Sequence, residues 1–406
     1  MRDLEGNLTG LSILLLLLSL TSPILAVCFA VYFFVNIPSN RNAVACSIGI
    51  AFSAALIAHG IVYKHDVDMT RWMLECEYYD GKGILSIWNS LNEDHNGLLV
   101  WNLLCWITGN SGDLRLLQSL AAFMGYGLIS WTMMNVYAKE RTKPSIFVAV
   151  LVFLFLAIPV QPIVGNVRSA LGCLLCAAAF CSRTSYGPKG SIGSLVLIAI
   201  ACLIHFSMVL PLAIFIFQPL ISRKPLLSSI ACALVLFIGL AASPILLEIG
   251  IFGDVPVVSN ILQKAAFYSS GTQWDQEMAK DFLSNLSHVL SLLMLGLICL
   301  RLFRLNLHNN LASVTLLMIA CVVVMEFSFV NVGNRLKYIP IMLFSVLMIE
   351  DGGKDRIASM KLTSIYDAAM FTSAFIVCLI SMYRFIPSFN YIQVIFQAVF
   401  FPLSYI

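Results

Sequence analysis

The chain has 406 residues, 60% of them hydrophobic and 11% charged, with a net charge of +3 and a mean hydropathy of +0.90. A soluble domain carries about 25% charged residues, and a nucleic-acid binder needs a basic stripe that so small a net charge does not supply. Both classes are excluded, and the composition points to an all-α, polytopic integral membrane protein, a single transmembrane domain over residues 1–406.

The apolar run from Leu11 to Val35 is too long for the core of a signal peptide and predicts a first span over 11–35. Later runs predict spans at 43–63, 114–137, 145–162, 167–183, 191–206, 207–221, 226–247, 284–304, 310–331, 335–350 and 363–384, about twelve transmembrane helices in all. The pair 191–206 and 207–221 reads equally as one long helix kinked at Pro211. Gly97–Ile107 and Tyr391–Ile406 are short, apolar and flanked by polar residues, as re-entrant or interfacial helices are. Two long loops stand out: 64–113, which includes the amphipathic stretch 97–107, and 248–283. Loops of this length are usually functional.

Charge orients the spans. Short connections carry Arg41, Lys139, Arg141, Lys143, Arg183, Lys189, Arg223, Lys224, Arg301, Arg304, Lys354, Arg356 and Lys361, 13 basic residues on one side. The two long loops hold clustered acids, among them Asp66, Asp68, Glu75 and Glu77. By the positive-inside rule the basic turns are cytoplasmic, the long loops are outer, and both termini fall on the outer side.

Of the 12 cysteines, Cys76 alone lies in a polar loop, with no evident partner, so a disulfide framework is not expected. The Cys173–Cys176 pair has zinc-site spacing but sits mid-helix without companion ligands, and reads as helix packing.

A few polar residues interrupt the spans. Arg168 falls in the first turn of its predicted helix, and Arg335 repeats the arrangement at the start of 335–350. A cation opposes the helix dipole there unless an anion joins it, so the pair suggests an anion site; snorkelling or pairing with loop carboxylates is the other reading. His205 lies at an outer helix end, where a cap and a catalytic role weigh equally. Glu326 reads as a structural partner of Arg335 or as a titrating carboxylate held by burial, the salt bridge being the simpler reading. Asp66, Asp68 and Arg71 crowd beside His59 and His65, but no standard metal spacing results, and a solvated loop face is the simpler reading.

These segments together resemble a family. "GNVRSALGCLLCAAAF", "IACLIHFSMVLPL", "NRLKY" and the acidic, aromatic "HDVDMTRW" are similar, in order and spacing over residues 45–350, to motifs of the EpsG/Wzy-type bacterial polysaccharide polymerases. Ser169, Trp72 and "HNGLL" depart from the residues usual in that family. The resemblance implies an enzyme of the bacterial inner membrane. It joins repeat units carried on undecaprenyl diphosphate at the periplasmic face, for O-antigen, capsule or exopolysaccharide, without metal or other cofactor. It implies diphosphate and substrate contacts from Arg168, Arg335, Tyr338, Asn166 and Trp72, and catalytic roles for His205, Asp66 or Asp68. Lipid-linked oligosaccharides are the implied partners, with membrane lipid and a chain-length regulator. A lipid-linked oligosaccharide flippase is the alternative; it needs charge along a path between repeated halves, and no repeat is visible. A membrane acyltransferase would rest on His205 alone.

The orientation has a direct test. With single cysteines at Ser185 and Gly271 in a thiol-free background, a membrane-impermeant thiol reagent should label position 271 and spare position 185; the reverse pattern would invert the topology.

Overall fold

The computed structural model describes residues 8–62, 68–93, 98–249, 281–305, 309–328, 330–352, 360–385 and position 399. Among these, every regular element is helical. The predicted helix 391–406, most of the loop 248–283, and His65 and Asp66 lie outside the described residues.

The first predicted span is two helices, α1 (Leu8–Thr21) and α2 (Pro23–Asn36). Pro23 lacks an N–H and disfavours helix at its predecessor, and Ser22 is extended at φ −151°, ψ 98°. Ser19 Oγ meets Ser53 Oγ at 2.8 Å, and Leu15 packs on Gly49, so α1 runs parallel to α3 (Asn40–His59). Helix α2 joins α3 through Ile37–Ser39 and packs back along it. Helices α1 and α2 are therefore a hairpin, and α1 begins at the end of the bundle that carries Arg41. This corrects the expectation of one span over 11–35 entering from the acidic side; the proline break reverses the chain.

The first long loop is a folded cap of α4 (Asp68–Glu77), α5 (Ser86–Glu93) and α6 (Leu99–Gly109). Buried polar groups knit it together. Tyr79 Oη and Ser90 Oγ are 2.7 Å apart, Trp106 Nε1 donates to Lys82 O at 2.9 Å, and Asn110 Nδ2 donates to Tyr79 O at 2.9 Å. Helix α6 meets α4 at Gly109, where an added Cβ would stand 2.2 Å from Cys76 O.

Helix α7 (Leu116–Glu140) runs antiparallel to α3 along a seam of small residues, Ala43, Ser47, Ala51, Ala54 and Ala58, that lets the backbones approach closely. Gln118 Nε2 closes the seam by donating to the orphan carbonyls of Ala58, His59 and Ile61 at 2.7, 3.0 and 3.1 Å. Helix α8 (Pro144–Ala157) stops before Pro159, and Tyr126 Oη donates to the Ile158 carbonyl at 3.0 Å. The short α9 (Val160–Gly165) then leads into α10 (Val167–Ile204).

Straight, the 38 residues of α10 would reach about 57 Å. Yet Met208 Cγ lies 2.8 Å from the Cβ position of Gly172, and Cys176 and Cys202 are close enough to interact electrostatically. The segment is thus bent back on itself, and its second half runs antiparallel to its first. A 3-10 turn, Phe206–Met208, reverses the chain again into α11 (Val209–Ile221), whose Phe215 ring stacks 5.5 Å from Phe180. The reading of one helix kinked at Pro211 is set aside; the break falls at His205–Met208, and 191–206 and 207–221 are separate arms.

Helix α12 (Pro225–Ile249) is followed by α13 (Phe282–Leu302), α14 (Asn310–Ser328), the short α15 (Val330–Leu336), α16 (Tyr338–Gly352) and α17 (Met360–Phe385). Asp281 Oδ2 and Arg384 Nε, 3.8 Å apart, tie α13 to α17 at the cap end. Helix α16 is central and packs on α7, α8, α10 and α14. The Asn40–His59, Phe282–Leu302 and Ile365–Arg384 helices are long and apolar enough to cross a membrane, and several apolar helices are shorter. Exposed Ile216, Phe217, Leu220, Val235, Phe237 and Ile238 on α11 and α12 would be costly in water and suit a hydrocarbon surround.

The cap rests on Gly109. Gly109→Ala should cost about 1–3 kcal/mol by overpacking and lower the thermal midpoint. Gly239→Ala, with nothing within 4 Å of its Cβ, should leave it unchanged.

Candidate active site

Asn166 caps the start of α10 without a side-chain bond, leaving Arg168 in the first helical turn. The cap closes over it. The Arg168 guanidinium carbon is 3.8 Å from the Trp72 ring centroid and 5.3 Å from that of Trp101, and the two indoles meet edge-on at 5.4 Å. Arg71 lies 4.1 Å from the Trp72 ring, and Trp101 Nε1 donates to Glu75 Oε2 at 3.1 Å. Each cation–π contact is worth about 0.5–2 kcal/mol, more as water is excluded. Two indoles and the nearby Glu75 carboxylate thus offset the charge of Arg168 and its opposition to the helix dipole.

Trp72 and Tyr79 are buried, Lys82 Nζ lies 3.1 Å over the Tyr78 ring, and Trp88 is exposed. Trp72 therefore packs as a support for Arg168, and Trp88 is the cap ring left open. The loop thiol Cys76 has a neighbour: it shares a thiol hydrogen bond with Cys105 across the α4–α6 contact, and both are free cysteines.

Arg335 is not in the first turn of α16. It stands in the last turn of α15, because the helix breaks at Lys337. Its carbonyl accepts from Cys173 Sγ at 3.4 Å, which sets α15 against α10 about one and a half turns below Arg168. Tyr338 is buried beside Cys173 and Arg335. The geometry thus brings Arg168, Asn166, Trp72, Arg335 and Tyr338 to one end of the bundle.

His205 also lies at this end, since the turn it begins packs on Gly172. Its Nδ1 accepts from the Ser207 backbone N–H at 3.2 Å and lies 2.6 Å from Ser207 Oγ. A nitrogen that accepts from an amide carries no proton, so neutral His205 has its proton on Nε2. It is a cap and a donor, not a free base. Asp66 lies outside the described residues, and Asp68 begins α4 with its side chain outside them. His59 contacts Asp113 at 3.4 Å and Ser119 at 3.2 Å.

A second constellation lies where α13, α14 and α15 meet. His288 Nδ1 is 2.9 Å from Glu326 Oε2; the imidazole is 23% exposed and the carboxylate 1%. Lys337 Nζ, fully buried, donates to Ser291 Oγ at 2.8 Å and to Asn334 Oδ1, and feels the Glu326 charge. Glu326 pairs with His288 and Lys337, so the expected pairing with Arg335 is replaced. Gly333 permits this by letting α15 approach α14, where an added Cβ would sit 2.6 Å from Glu326 Cγ. Sequence reasoning passed over His288, Ser291, Asn334 and Lys337. The signal was a His and a Ser three apart on one face of an apolar span, and a lysine two residues after Arg335.

A small cavity lined by Trp131, Asn135, Lys139 and Cys181 lies at the opposite, basic end of the bundle, away from these groups. Compared with protein families, curated proteins and solved structures, the chain matches none. The family resemblance rests on the sequence motifs alone.

Burial within the cap, then the bond with Cys76, pushes the Cys105 thiol well above its ordinary range. Since the thiolate is the nucleophile, Cys105 should resist a small maleimide at pH 8 in the native protein and react once it is denatured. Equal rates in the two states would mean that the cap is open.

Proposed function

We propose that the chain is a polysaccharide polymerase of the bacterial inner membrane. It spans the bilayer about twelve times and joins lipid-diphosphate-linked repeat units at the outer face. The observation that carries this reading is that the aromatic cap covers Arg168 while the helix end that bears Arg335 packs on the same α10, about one and a half turns away. The motif resemblance adds the reaction class.

In this reaction a hydroxyl of one lipid-linked unit attacks the anomeric carbon of the growing chain. The carbon–oxygen bond to the diphosphate breaks, and the electron pair leaves with lipid diphosphate. Negative charge grows on the leaving group, and arginine meets it with a planar, permanently charged fork. Trp72 and Trp101 hold the Arg168 fork in place beforehand, so little reorganisation accompanies the chemistry. The neutral His205 presents an N–H at the same end, suited to an oxygen that gains charge. The exposed Trp88 ring suits stacking on sugar.

Deleting the gene should reduce the surface glycan from a ladder to a single capped unit; absence of any exported unit would indicate a flippase instead. A charge-assisted bond is worth about 1.5–3 kcal/mol, so Arg168→Ala and Arg335→Ala should each slow chain growth tenfold or more at matched protein level. Arg168→Lys keeps the charge without the fork and should fall between wild type and alanine. A wild-type ladder in either alanine variant would remove that arginine from the site.

A further inference from the structure

The proposed reaction needs a base for the acceptor hydroxyl, and the tautomers of the two outer-end histidines decide between them. His205 has Nδ1 occupied by an amide donor and so carries its proton outward. His288 is the reverse. Its Nδ1 faces the Glu326 carboxylate at 2.9 Å, and a carboxylate pairs with an N–H, so Nε2 holds the lone pair. The contact is short but bent rather than an aligned hydrogen bond, as is common before substrate tightens a site.

The surroundings suit the same role. Glu326 and Lys337 are both buried, and Lys337 donates to Ser291 Oγ and Asn334 Oδ1 in the field of Glu326. The charged groups facing His288 are Glu326 from α14 and Lys337 from the α15–α16 turn. Helix α17 contributes Arg384, paired with Asp281 about two turns away along α13. Among the described residues neither Glu326 oxygen has a hydrogen-bonding partner, so the carboxylate remains available to strengthen its hold on an imidazolium.

We infer that His288 is the general base that deprotonates the acceptor hydroxyl, with Glu326 as its positioning residue. The inference rests on the polymerase reading above. As the hydroxyl oxygen bonds to the anomeric carbon, its proton passes to His288 Nε2 while the carbon–phosphate oxygen bond breaks; the resulting imidazolium is stabilised by Glu326 and later releases the proton to water. The end of α15 lies between the base and the arginine side, since the Arg335 carbonyl meets Cys173 of α10 while Lys337 bonds Asn334 and Ser291, three residues after His288.

The test uses the native host expressing the full chain with its own lipid-linked units, with outer pH varied. His288→Gln should reduce chain growth by a hundredfold or more, the usual span for a general base, at matched protein level and with Cys105 still protected. His288→Ala should regain part of its activity when imidazole is added to the medium. Glu326→Gln should lower the maximal rate at least tenfold and move the acid limb of the pH profile to lower pH, because the carboxylate no longer favours the imidazolium. A packing role would leave the acid limb in place and give no imidazole rescue, and either result overturns the base assignment. If Glu326→Gln protein is lost from the membrane, imidazole rescue of His288→Ala decides alone, and its absence overturns the assignment. If gene deletion leaves the ladder intact, the polymerase reading itself falls. If deletion abolishes the ladder while His288→Gln keeps it, the base assignment alone falls.

Discussion

An ion placed in an apolar helical bundle must be given partners by the fold, and most of the organisation of this protein follows from that constraint. Arg168 obtains its partners from the cap, roughly a hundred residues earlier in the chain, as a stack with Trp72 and Trp101. The stack is possible because α4 and α6 close against each other at Gly109, where no side chain larger than hydrogen fits. The cap is in turn anchored where α6 packs on α7 and α10. One cation, one glycine and two indoles thus couple the outer segment to the interior of the bundle.

The same constraint organises the opposite side of α15. Lys337, Glu326 and His288 come from three elements, and each would be costly alone. Together they form one buried cluster with a partly open imidazole edge. Helix α15 is only seven residues long, yet its residues face both constellations: Cys173 meets it on one side and Glu326 on the other.

The bend in α10 and the turn at His205 place a third polar group at that end. Because Met208 packs on Gly172, the His205 turn lies beside the first turns of α10 rather than a helix length away. The two histidines then differ in tautomer for local reasons, one facing an amide and the other a carboxylate. Opposite tautomers at one end of a site are what paired donation and acceptance of a proton require.

The sequence by itself determined the all-helical class, the apolar character of the helices and the place of Arg168 in the first turn of its helix. Each of these follows from composition or from local periodicity, which a linear reading resolves. It did not resolve the Ser22–Pro23 hairpin, since fourteen apolar residues on either side of a proline look the same whether the chain continues or reverses. Nor did it resolve the partners of its ions. Trp72 looked like a sugar platform until packing buried it against Arg168, and Glu326 looked like a partner for Arg335 until Gly333 brought α15 close and turned Lys337 inward. Which charges neutralise one another depends on distances between segments far apart in the chain. Those distances are set by helix packing, and only the tertiary structure decides them.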